Sequence, residues 1–113
     1  MYLGDFAEDV TIVVPFTTTL GGAGVAPSTA LAASDVIVVK DGTSLKATAN
    51  GISVSESVGG TVGAHSITLN TSTDTGDAGF WVAGSDYAVL VTPEISGQTL
   101  LSGPVVFSLA NRL

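Results

Sequence analysis

One histidine, no cysteine, ten carboxylates and three basic side chains are the charged and nucleophilic inventory from which this 113-residue chain could build chemistry. Without Cys there is no thiolate nucleophile, and a single imidazole leaves zinc short of ligands. A serine triad would need His65 beside a buried Asp and an exposed Ser. His65 instead alternates with Ile67 and Leu69 in GAHSITLN, the pattern of a core-facing strand, and is expected to be partly buried and bonded to backbone. No catalytic residue, metal or cofactor is assigned, and the chain reads as non-enzymatic. Asp74 and Asp77 lie in TDTGDAG, an oxygen-rich stretch that lacks the alternating ligands and the final Glu of a helix-loop-helix calcium site. They are expected to bond nearby amides in a solvated turn. Asn70-Thr71-Ser72 fits a glycosylation acceptor, which has meaning only in a secreted chain. Trp81 and Tyr87 would make a sugar-stacking platform if both rings were exposed. Core placement is favoured, because the chain has only one Trp, two Tyr and four Phe with which to fill a core.

These residues sit on Gly63 to Val91, where two alternating runs flank a Gly-rich connection. Tyr87, Val89 and Val91 share one face of the second run. Tyr87 enters its strand from the turn Gly84-Ser85-Asp86, an arrangement similar to the tyrosine corner of immunoglobulin-like sandwiches, with a buried ring and a hydroxyl on backbone. Upstream, Val10 to Thr19 is β-branched and puts Val10, Ile12, Val14 and Phe16 on one face, with Pro15 requiring an edge or a bulge. Leu20 to Ser34 reads as a long loop with a helical turn over Ser28 to Ala33 capped by Ser28. Asp41-Gly42 predicts a type I′ hairpin between Asp35 to Lys40 and Thr43 to Thr48. Asn50-Gly51 and Gly59-Gly60 predict turns into Ile52 to Ser55 and Val62 to Asn70, and Gly97 tips a turn before a last strand from Pro104 to Asn111. Short strands without an amphipathic helix predict an all-β fold: a single antiparallel immunoglobulin-like β-sandwich of about seven strands. It spans residues 10–113 behind an N-terminal arm, 1–9, and its core holds Trp81, Phe107, Phe16 and Tyr87.

Hydrophobic residues at 45% and charged residues at 12% predict a folded domain with a neutral surface. A net charge of −7 repels phosphate backbones, so nucleic acid is excluded as a partner. No run approaches the roughly 18 apolar residues of a membrane span. The acidic opening Met1 to Asp9 lacks the basic flank and apolar run of a secretory leader, so the product is expected to be soluble when made.

The opening YLGDFAED, Phe16-Thr17-Thr18, DVIVVKDG from Asp35 to Gly42, Gly63-Ala64-His65, Asn70-Thr71-Ser72 and FWVAGSDY from Phe80 to Tyr87 together resemble a family of small structural-type proteins of tailed bacteriophages. The resemblance spans nearly the whole chain and rests on the order and spacing of the segments. It implies a virion localisation and an enzymatically silent role among phage structural proteins, as a capsid decoration or a tail or connector accessory. It carries over no catalytic residue. The expected partners are other virion proteins, capsid or tail and connector subunits, or further copies of the chain. Tyr2, Leu3 and Phe6 of the arm are the expected partner-binding residues, because they place apolar side chains outside the sandwich. The alternative is a carbohydrate-binding β-sandwich module for host-surface recognition, using Trp81 and Tyr87.

Overall fold

A computed structural model describes residues 1–109 and is all-β. Its strands are β1 (Tyr2–Phe6), β2 (Thr11–Thr17), β3 (Thr19–Leu20), β4 (Ala23–Gly24), β5 (Val36–Lys40), β6 (Ser44–Leu45), β7 (Ile52–Ser55), β8 (Ala64–Asn70), β9 (Asp86–Val91), β10 (Glu94–Ile95), β11 (Gln98–Thr99) and β12 (Ser102–Leu109). One sheet runs β1-β12-β9-β5-β6 and the other β2-β8-β7, with β3-β4 and β10-β11 as small separate hairpins. In immunoglobulin order β2, β8 and β7 are strands B, E and D, and β5, β9 and β12 are C, F and G. Every pairing within the two sheets is antiparallel except that of β1 with β12.

Period-two patterning decides which side chains meet between the sheets. Ile12 and Val14 of β2 and Ile67 and Leu69 of β8 face Val38 of β5, Tyr87, Val89 and Val91 of β9, and Phe107 and Leu109 of β12. All are 2% exposed or less, so each is removed from water almost completely. Pro15 lies in β2, an edge strand, opposite Ser66, where its missing donor leaves no ladder bond unmade.

The tyrosine corner is present. Tyr87 is 1% exposed; its hydroxyl donates to the Phe80 carbonyl at 2.7 Å and accepts the Val82 N–H at 2.9 Å. Burial raises the phenol's pKa above 10.0, so the hydroxyl keeps the proton it donates. One side chain thereby fixes the β8–β9 connection to the start of β9. Tyr87→Phe keeps the ring but orphans the Val82 N–H and the Phe80 carbonyl. The expected loss is about 1–3 kcal/mol in urea unfolding, and an unchanged midpoint would show that the corner carries no stability.

Several expected elements take other forms. The segment set apart as an arm contains β1, which hydrogen-bonds β12 with Tyr2 opposite Val106 and Phe6 opposite Leu109. The Leu20 to Ser34 stretch begins in the β3-β4 hairpin, whose Gly21 and Gly22 both have positive φ. Its helical turn is a 3-10 turn at Ala33–Asp35 and not at Ser28, whose hydroxyl donates to the Glu94 carbonyl instead of capping a helix. Asp41 and Gly42 have φ of 51° and 74° and are closed by Thr43 N–H to Lys40 C=O at 3.1 Å, but β6 is only two residues long because the chain then turns toward Asp77. Phe16 and Trp81 pack against the core from partly buried positions rather than within it. The predicted end of the last strand, Asn111, lies outside the described residues.

Candidate functional site

The residues with chemical potential are engaged in scaffolding. His65 is 3% exposed on β8, with its ring 5.0 Å from that of Phe16. The Ser57 N–H donates to Nδ1 at 3.3 Å, which assigns the ring proton to Nε2 and makes Nε2 the donor to Thr18 Oγ1 at 2.7 Å. The Thr18 hydroxyl in turn donates to the Val25 carbonyl. The imidazole therefore ties the loop after β7 to the loop after β2, through a side-chain hydroxyl as well as a backbone amide. Burial pushes its pKa below the ordinary 6.5, with Glu56 pulling weakly the other way. Because the unfolded chain then binds the proton more tightly, His65's contribution is complete above pH 6.5 and is lost as pH falls toward the lowered folded value. Urea midpoints should accordingly decline on acidification through that window, and His65→Ala should flatten the decline while lowering stability throughout. A wild-type profile that is flat there would contradict this network.

Asp77 is not in a solvated turn. Its carboxylate takes the Lys46 ammonium at 2.7 Å, with both side chains 2% exposed, and accepts the Ala47 and Thr48 N–H groups at 2.8 and 3.2 Å and the Thr48 hydroxyl. Lys46 also donates to the Thr48 and Asn50 carbonyls, both at 2.8 Å. Asp74 is exposed, and only its backbone carbonyl meets the Asp77 N–H. No group of three His, Asp or Glu residues is placed to hold a metal among the described residues. Thr71 is buried, exchanging hydrogen bonds with the Val10 backbone, while Asn70 Oδ1 accepts from Ser72 in a local turn.

The two rings considered for sugar stacking are packed against one another. The Trp81 indole lies 4.9 Å from the Tyr87 ring and is stacked on Phe107 at 6.3 Å and 26°, and Phe80 meets its edge. Its Nε1–H is buried with no partner among the described residues, so packing alone holds the ring. Of the arm residues, Leu3 and Phe6 turn inward onto the core, Phe6 edge-on to Phe107 at 6.1 Å. Tyr2 is exposed, and its hydroxyl bonds Asp5 and Ser108. The three residues therefore do not form a common outward face.

The surface that stands out is one end of the sandwich. There β2 gives way to the B–C loop, β7 joins β8 through the D–E loop, and β9 joins β12 through the F–G loop. Thr17 pairs with Ala64 in one sheet and Ser102 with Val91 in the other, and bonds from the B–C loop to Glu56 and Glu94 bring the three together. Leu20, Val58, Val62, Leu100 and Leu101, one or more from each loop, are between 43% and 67% exposed. The loops are laced together. Thr18 N–H donates to Gly63 C=O at 2.9 Å, Ser28 N–H to Glu94 C=O at 2.7 Å, Thr29 Oγ1 to Glu94 Oε1 at 3.2 Å, and Leu31 N–H to Glu56 Oε2 at 3.3 Å. A cavity of about 160 Å³ lies between Thr17 to Thr19 and the side chains of Ile95, Leu100 and Leu101. Scattered apolar residues on a surface are ordinary, whereas several on the loops of one end form a candidate contact face. Reading the chain linearly misses it, because only the Greek-key topology gathers these residues; a spread of ~80 positions leaves no local signal.

No family model, curated protein or solved structure matches the chain. No helix among the described residues is long and apolar enough to cross a membrane.

Proposed function

We propose that this chain is a non-enzymatic structural protein of a tailed bacteriophage particle, acting by assembly as a capsid decoration or a tail or connector accessory. The observation that carries the reading is the laced loop end with its exposed Leu20, Val58, Val62, Leu100 and Leu101. A chain with 12% charged residues has few salt bridges to offer a partner, and exposed ones contribute little. Apolar area on a fixed scaffold is its means of association. The engagement of His65, Asp77 and Lys46 in internal contacts supports assembly over turnover. Burial of Tyr87 and the packing of Trp81 favour assembly over glycan stacking, which needs open ring faces. The resemblance to phage structural proteins supplies the setting. Gradient-purified particles of the encoding phage, analysed by mass spectrometry, should contain the chain at a reproducible copy number that survives high-salt washing. Its absence from purified particles would end the reading.

A further inference from the structure

We propose that the loop end docks a protein partner that presents apolar side chains within a ring of lysine or arginine. The inference builds on the assembly reading, but what it asserts is a binding preference of the isolated chain. Charge is what selects the occupant. Residues 18–35, 56–63 and 92–101 contain Asp35, Glu56 and Glu94 and no Lys or Arg. Each of these carboxylates is oriented by the loops themselves: Ala32 N–H holds Asp35 Oδ2 at 2.9 Å, Leu31 N–H holds Glu56 Oε2, and Thr29 Oγ1 holds Glu94 Oε1. Among the described residues, the basic groups nearest these loops are engaged elsewhere, the Met1 ammonium donating to the Pro104 carbonyl of β12 at 3.2 Å. Lys46 is buried against Asp77, and Lys40, at the far end of β5, bonds the Gly79 carbonyl at 3.0 Å.

An apolar centre whose surrounding loops carry carboxylates and neither lysine nor arginine complements a basic rim and repels an acidic one. A second copy meeting the same end would bring Glu56 and Glu94 against their counterparts, in a chain already at −7. Anionic lipid and nucleic acid are repelled for the same reason. The interloop hydrogen bonds hold the face in one arrangement before a partner arrives, which lowers the ordering cost of binding.

The test uses isotopically labelled full-length protein titrated with two short amphipathic peptides of identical pattern, one of leucine and lysine, the other of leucine and glutamate, read by amide chemical shifts. The leucine–lysine peptide should shift amides within 18–25, 56–63 and 94–102, and added salt should weaken it. Leu100→Ser with Leu101→Ser should reduce its affinity about tenfold or more while leaving the urea midpoint in place, since both side chains are exposed. Absence of binding, shifts confined to β1, an equal response to the leucine–glutamate peptide, or self-association through these same amides would each overturn the proposal. Because virion content is not the readout, failure of the phage reading and failure of this inference are seen separately.

Discussion

Gly63→Ala is expected to cost about 3 kcal/mol or more, combining left-handed strain with overpacking against fixed backbone. Gly63 has φ of +88°, and a Cβ there would stand 2.7 Å from both Gly24 Cα and the Thr18 carbonyl oxygen and 2.8 Å from the Val25 nitrogen. All three are backbone atoms, so no side chain can swing away to make room. The same glycine accepts the Thr18 N–H, and so joins the B–C and D–E loops at their closest approach. Gly59 and Gly60 provide the comparison: their φ values of 64° and 77° are also positive, but a Cβ at either would meet nothing within 4 Å. Alanine at either should cost only the conformational term, roughly 1–2 kcal/mol. Urea denaturation of the three variants separates the contributions. Equal losses would mean that the loops do not approach each other as closely as the structure has them.

Asp77→Ala should produce the largest fall in melting temperature of any polar substitution, ~10 °C or more, because it leaves the Lys46 ammonium buried with carbonyl and hydroxyl partners only. Replacing both members, Lys46→Met with Asp77→Leu, should recover the part of the loss due to the unpaired ammonium, while the Ala47 and Thr48 N–H groups still lack their acceptor. Lys46 above all, then the Thr48 hydroxyl and the Ala47 N–H, lower the Asp77 pKa from 3.8 to about 2. A depressed carboxyl stabilises the fold above its unfolded value. Its contribution should therefore be complete above pH 3.8 and disappear as pH falls toward 2, and the double variant should lose that acid-sensitive step. A melting temperature for Asp77→Ala within a degree or two of the wild type would place the pair in water.

Local patterning makes the central strands legible. His65, Ile67 and Leu69, then Tyr87, Val89 and Val91, then Val105, Phe107 and Leu109, alternate strictly, and each set is buried. The Asp41-Gly42 turn and the tyrosine corner are equally readable, because both depend on a few adjacent residues. The features that sequence patterning misplaces depend on distant partners. YLGDF, with Gly4 at its centre, has no alternation to announce a strand, and its hydrogen bonds go to a partner near the opposite end of the chain, Val106 to Leu109. Lys46 and Asp77 are 31 positions apart, so nothing in TDTGDAG signals that its second carboxylate meets an ammonium. Gly21-Gly22 does carry the signature of a tight hairpin, and the surrounding small residues obscure it. The loop end needs still more: strand order, the direction of each strand and the burial of everything else must be known before five separate aliphatic side chains become one face.

The proposed assembly through the loop end is decided by an image of the phage particle that the proposal assigns to this chain, at a resolution that places the chain's strands in density. Leu20, Val62 and Leu101 should lie against a neighbouring capsid, tail or connector subunit, with lysine or arginine of that neighbour facing Glu56 and Glu94. A subunit attached through β1 with its loop end open to solvent, or a particle without the chain, would refute assembly through this face.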